Sequence, residues 1–426
     1  MTQSTTTPLT VATDRRLIRS KWHSTRYVVA AVDAPIARTG TARPPVNLAF
    51  VLDRSGSMSG PKLGLAAQAA QEGIARLLPT DRFCVVMYDE DVDMVVPSTL
   101  ATANARRDAI ERLRRVGTGG STDLGAGWLA GCSQIAMALM ADGVNRALLL
   151  TDGLANRGIT SAEDLAHHAA QLRARGVSTS TFGVGNDFDE ALLQAMAQAG
   201  GGHFYDIADA AAIRDHISSE VGETLEIVAR EVTLQVALPT GVRVESLGAF
   251  PVREAGGRPA VTLGDLVSGQ ELEVPLRLSF PLGMPGERVP AVFTLADRDD
   301  VLDGTVARVA WEHADDATND AQPRTVEVDR VVARVFAARA RQEAVRRNKS
   351  GEYEAARHVL EATARRIRSY AGSDPELRAI ADGLLQEGES FRHAMPARAL
   401  KEAYAQSSYE MQSRSVEGKA RRSPAR

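Results

Sequence analysis

An acid and two hydroxyls at alternate positions close an apolar run: Asn47-Leu48-Ala49-Phe50-Val51-Leu52 leads directly into Asp53-Arg54-Ser55-Gly56-Ser57. Oxygen donors of this kind suit a hard divalent cation such as Mg²⁺, which binds carboxylates and hydroxyls and keeps several of its waters. Asp53, Ser55 and Ser57 make only part of a coordination shell. Two later segments offer more. Gly119-Gly120-Ser121-Thr122-Asp123-Leu124 carries the hydroxyl of Thr122 on a glycine-rich loop, and Ala147-Leu148-Leu149-Leu150-Thr151-Asp152-Gly153 ends a second apolar run in an acid, Asp152. An isolated D-x-S-x-S is more often a turn, because Asp, Ser and Gly are the residues that reverse a chain. Three such segments in order point to a metal instead.

To bring these donors together, the chain must place each at the end of a buried element. Runs that are apolar throughout predict strands covered on both faces. Leu63, Ala66, Ala67, Ala70, Ile74 and Leu77 recur at helical spacing over residues 62–78, and Pro79 stops the pattern. Residues 82–88 form the next buried strand, 92–96 an edge strand closed by Pro97, and 101–116 a charged helix. Leu124, Trp128, Leu129, Ile135, Ala136 and Leu139 give the helix after Thr122 a broad apolar face. Strands over 147–150, 177–184 and 204–207 then alternate with helices over 161–175, 189–199 and 209–223. This alternation specifies an α/β fold with a doubly wound, mainly parallel sheet. Such sheets bind ligands beyond the carboxyl ends of their strands, where the three loops converge.

The combination resembles the von Willebrand factor A family and its metal-ion-dependent adhesion site, over roughly residues 45–222. The resemblance implies that Asp53, Ser55, Ser57, Thr122 and Asp152 hold Mg²⁺, with Mn²⁺ and Ca²⁺ as further cations of the same class. It also implies a protein partner whose exposed Asp or Glu completes the shell, with Asp152 moving between direct and water-mediated contact, and a module that is not an enzyme. Cytoplasmic bacterial proteins that look like this one are thought to work beside AAA+ ATPases. An accessory or client-presenting subunit of such an ATPase is therefore the alternative, and a metal-dependent hydrolase using the same acids is the alternative of another class. Arg54 fills a position that the motif leaves open. Asp123 either adds charge near the cation or caps the following helix.

Enzyme motifs are missing. A dehalogenase-type phosphatase needs a second carboxylate where Ser55 stands; no G-x-S-x-G elbow surrounds the serines, no P-loop lysine is present, and Gly183-Val184-Gly185 lacks the third glycine of a dinucleotide fingerprint. His167 and His168 are adjacent on a helix and diverge. His203 is read as structural.

Of 426 residues, 44% are hydrophobic and 24% charged, a balance that excludes wholesale disorder and allows two or three domains. A net charge of −4 gives no general attraction to nucleic acid or anionic membrane. Residues 1–8 lack the basic start and apolar core of a secretory leader, no run is long enough to span a bilayer, and Cys84 and Cys132 have neither zinc nor redox spacing. These features give a cytoplasmic expectation. Short β-prone runs at 9–12, 17–19 and 27–32, and again after residue 225, predict an antiparallel β-sandwich from both ends of the chain. The expected organisation is 1–44 as the first sandwich strands, 45–224 as the α/β domain, 225–315 as the rest of the sandwich, a linker over 313–323, 325–410 as three helices, and 411–426 as a flexible basic tail.

Overall fold

The computed structural model describes residues 8–37 and 43–422. The parts of the expectations above that fall on residues 1–7, 38–42 and 423–426 lie outside the described residues. The chain divides into two compact units, one drawn from Met1–Arg38 and Val228–Arg426, the other from Thr39–Ile227.

Three strands open the first unit: β1 (Leu9–Thr13), β2 (Leu17–Arg19) and β3 (Ser24–Asp33). The second unit follows with β4 (Val46–Asp53), α1 (Pro61–Ala75), β5 (Arg82–Tyr88), β6 (Val92–Leu100), α2 (Ala103–Leu113) and α3 (Leu124–Ala136). It continues through β7 (Val144–Thr151), α4 (Ala162–Ala174), β8 (Ser178–Val184), α5 (Glu190–Gly200), β9 (Gly201–Ile207) and α6 (Ile213–Leu225). Its sheet has the order β6-β5-β4-β7-β8-β9, parallel except for β6. Every residue of β4 and β7 is buried, as expected of central strands in a parallel sheet. From β4 the chain runs outward to β5 and β6, then returns to lay β7 on β4's other side. The carboxyl ends of β4 and β7 therefore form the crevice where the winding reverses.

Two local expectations are corrected here. Pro97 does not close β6, which runs on to Leu100; it lies in an edge strand beside a register shift in the ladder with β5, where no N–H is required. Leu139 is not on the buried face of α3, because the helix ends at Ala136 and the side chain is exposed. Gly127 brings α3 against β5: a Cβ there would lie 2.3 Å from the Tyr88 ring. That close seat fixes the start of α3, and with it the Thr122 loop.

The first unit resumes with β10 (Ile227–Ala237), β11 (Arg243–Ser246), β12 (Val252–Ala255), β13 (Arg258–Val267), β14 (Glu271–Phe280), β15 (Arg288–Ala296) and β16 (Val306–Ala314). Its two sheets run β1-β3-β14-β11 and β12-β13-β10-β15-β16-β2. Both ends of the sequence thus contribute strands, around a core including Leu234, Val274, Phe280, Phe293 and Trp311. One pair, β16 with β2, is parallel, since these strands are remote in sequence and no hairpin dictates their direction.

Beyond β16 the expected linker contains a helix, α7 (Asp316–Ala321), capped by Asp315 and tied by Arg19 to Asp316 (2.6 Å) and Asp320 (2.5 Å). Four further helices follow rather than three: α8 (Val326–Lys349), α9 (Tyr353–Ala371), α10 (Pro375–Ser390) and α11 (Ala397–Met411). Val328, Val331, Val332 and Val335 of α8 pack with Val29 of β3 and Leu247. Residues 412–422 are not a free tail. Ser413 Oγ accepts the Glu273 N–H (2.9 Å), the Arg421 carbonyl accepts the Glu271 N–H (2.9 Å), and Arg414 is buried. Basic composition concealed this packing, because Arg421 is matched within the unit by Glu410 at 2.8 Å and Glu273 at 3.6 Å.

Candidate metal centre

Asp53 ends β4 and Asp152 follows β7, so parallel pairing of these neighbours delivers both acids to one crevice. The two are held differently. Asp53 accepts the Ser55 N–H on Oδ1 (2.8 Å) and the Thr151 hydroxyl on Oδ2 (2.7 Å). Asp152 accepts the Ser57 hydroxyl on Oδ1 (2.5 Å), and Ser57 Oγ in turn lies 3.1 Å from Ser55 Oγ. A Cβ placed on Gly153 would sit 3.6 Å from Ser57 Oγ and 3.8 Å from Thr122 Oγ1. The third hydroxyl therefore converges on the same spot. All five residues singled out by the sequence are brought together.

The Thr122 loop is fastened from two sides. Gly119 N–H donates to the Arg54 carbonyl (2.7 Å), and Gly56 N–H donates to the Gly120 carbonyl (3.0 Å). Thr122 N–H donates to Asn156 Oδ1 (3.1 Å), while Asn156 N–H returns a bond to the Thr122 carbonyl (3.4 Å). At Gly119 any side chain would collide with Asp89, since a Cβ would stand 1.6 Å from its Oδ2. Asp123 serves as the cap of α3, accepting the Ala126 N–H at 2.9 Å. Arg54 pairs with Asp93 (3.2 Å) and Asp89 (3.3 Å).

Asp53, Ser55, Thr122 and Asp152 are buried, whereas Ser57 is exposed. Burial holds the Asp53 carboxyl above its ordinary value of 3.8 and the neighbouring Asp152 charge adds to this, against the hydrogen bonds from Thr151 and Ser55. Two acids in one buried crevice call for positive charge. One source escaped the sequence analysis: Lys62 Nζ lies 2.5 Å from Asp152 Oδ2. Thr151 and Asn156 were missed as well. Their signal was weak, a polar residue beside each motif with no spacing of its own.

A second group, His203, Glu220 and Glu223, also brings ligand atoms within 4.8 Å of one another. There Glu220 is already engaged by Arg146 Nη1 (2.9 Å), Ser180 Oγ (2.6 Å), Tyr205 OH (2.6 Å) and His203 Nδ1 (3.1 Å). A carboxylate so engaged is a structural ion pair.

Residues 47–219 match the family model of the von Willebrand factor type A domain. The chain carries a von Willebrand factor type A domain. It is 29% identical over 231 residues to the uncharacterized protein YfbK of Escherichia coli, covering 54% of this chain but 40% of that protein. The match therefore spans less than half of that relative. Among solved structures, a von Willebrand factor type A protein from Catenulispora acidiphila superposes with a TM-score of 0.69 at 18% identity, covering 96% of this chain and 98% of its own. The ArnB paralog VWA2 from Sulfolobus acidocaldarius gives 0.64 at 14%, covering 95% and 97%. These likenesses extend the shared fold to the strands and helices outside the type A domain. Domains of this type are commonly metal-dependent protein-interaction modules. No helix among the described residues is long and apolar enough to cross a membrane.

Proposed function

We propose that the type A domain binds a partner protein through a divalent cation held by Asp53, Ser55, Ser57, Thr122 and Asp152. The observation that carries this reading is the junction of the Ser55, Ser57 and Asp152 side chains, with Thr122 Oγ1 converging over Gly153. The donors are all oxygen, which fits Mg²⁺, Mn²⁺ or Ca²⁺ and disfavours softer metals. Both oxygens of each acid are engaged by neighbours, Asp53 by Ser55 and Thr151 and Asp152 by Ser57 and Lys62, so in this arrangement both would act through hydrogen bonds and water, leaving the three hydroxyls to approach the ion. Bound there, the cation would supply a positive charge poorly neutralised by hydroxyl ligands. An Asp or Glu side chain of a partner is the natural complement.

Affinity capture on the immobilised full chain tests this. Proteins retained in Mg²⁺ are expected to be released by chelator and to be absent from an Asp53→Ala column. Identical retention on both columns would contradict metal-mediated recognition. Phosphoester turnover with Mg²⁺ or Mn²⁺ would instead support the hydrolase alternative.

A further inference from the structure

Lys62 is the second residue of α1, directly after Pro61. A cation in the first turn is opposed by the helix dipole, which favours acids there, and this first turn contains none. Something other than the helix must hold the ammonium in place. Its partners are Asp152 Oδ2 at 2.5 Å and the Ser57 carbonyl at 3.2 Å, both belonging to residues of the proposed metal set. The Asp152 side chain is fully buried while that of Lys62 is 28% exposed, so the lysine reaches in from solvent on a flexible stem.

We propose that Lys62 is a built-in competitor for the cation: its ammonium occupies one carboxylate oxygen of Asp152 and lowers the site's affinity for divalent ions. The proposal rests on the metal-site reading above. A divalent ion approaching Asp152 meets a like charge already seated there, and in a partly buried crevice that repulsion is less screened than in water. The ion must displace the ammonium or bind beside it, and either route weakens binding. A partner carboxylate adds a negative charge to the same crevice and relieves the repulsion. Cation and acidic partner therefore bind cooperatively, each improving the other's affinity by the same factor. Lys62 makes the free domain a weak metal binder and the complex a stronger one.

The test is a calorimetric titration of the full chain with Mn²⁺ alone at fixed ionic strength, comparing wild type, Lys62→Met and Lys62→Arg. Methionine keeps an unbranched apolar stem without the charge, and arginine keeps the charge. Lys62→Met should bind Mn²⁺ about tenfold more tightly, the order expected from removing one nearby like charge, and its melting temperature should rise more on Mn²⁺ addition than the wild type's. Lys62→Arg should stay within about threefold of wild type, because the repulsion survives. Unchanged or weaker binding in Lys62→Met overturns the proposal while leaving the metal site intact. Equal tightening in Lys62→Arg overturns the charge argument. A wild type that binds no Mn²⁺ overturns the metal-site reading, and the proposal falls with it.

Discussion

β7 carries a buried ionic centre near each end, and the two are built on opposite terms. Near its start, Arg146 faces Glu220, whose oxygens also receive Ser180, Tyr205 and His203. Beyond its end, Asp152 stands in the same crevice as Asp53, compensated by hydroxyls and by one lysine reaching in from the surface. The first centre is complete within the fold, with a guanidinium fixed opposite a carboxylate. In the second, two acids share a crevice with small hydroxyls and little permanent positive charge. On the proposed reading, the surplus of oxygen donors at the strand's carboxyl end is a place for an outside cation, whereas the balanced set is a structural pair.

The comparison breaks most decisively at Glu220. Glu220→Gln leaves Arg146 charged, buried and facing no Glu220 carboxylate, and unfolding by urea should show a loss of about 3–5 kcal/mol. Metal binding by the folded fraction should stay unchanged. A mild effect on stability would mean that this centre is less tightly matched than its geometry suggests.

At the other end of β7, Thr122→Ala sharpens the comparison between holding an ion and presenting it. Its loop is anchored by backbone bonds to Arg54, Gly56 and Asn156, so losing the hydroxyl leaves the loop in place. With Thr122 Oγ1 proposed to join the ion mainly once a partner is bound, partner affinity should fall about tenfold or more, with metal affinity falling less, because such a ligand contributes mainly to the complex. Binding measured by calorimetry for metal and partner separately checks this. Equal losses would show a rigid site without rearrangement.

The smallest effect belongs to a more exposed pair in the other unit, Arg230 with Asp299, joined at 2.6 and 2.5 Å. Hydrogen bonds from Arg230 hold the Asp299 carboxyl below its ordinary 3.8. A depressed carboxylate contributes stability above its unfolded value and loses it as pH falls through the folded one. Asp299→Asn should therefore cost about 1 kcal/mol at neutral pH, discounted for exposure. That difference should shrink below about pH 4 as the wild-type carboxyl itself becomes protonated. Melting curves across pH measure it; a difference that persists in acid would point to packing rather than charge.

How far the sequence led depended on whether a residue's role was local. Asp53, Ser55, Ser57, Thr122 and Asp152 were legible because each follows or opens a strongly apolar segment, and the alternation of those segments specified the sheet. The strands before residue 45 were legible as strands by their alternation. α11 and the packing of residues 412–422 were not, since short patterns rich in Ala, Arg and Ser reveal no partner until Glu273 and Glu410 are seen beside them. Lys62 was hidden for a related reason. On the helix it is one more polar position, and only the fold brings it from α1 to an acid 90 residues later.

Calorimetric titration of the purified chain with Mg²⁺, wild type against Asp53→Ala, tests the central claim most directly. The wild type should bind one ion per chain, and Asp53→Ala should bind none while keeping its circular dichroism and a cooperative melt. Undiminished Mg²⁺ binding by a folded Asp53→Ala protein would contradict the assignment of the crevice at the ends of β4 and β7 as the metal centre.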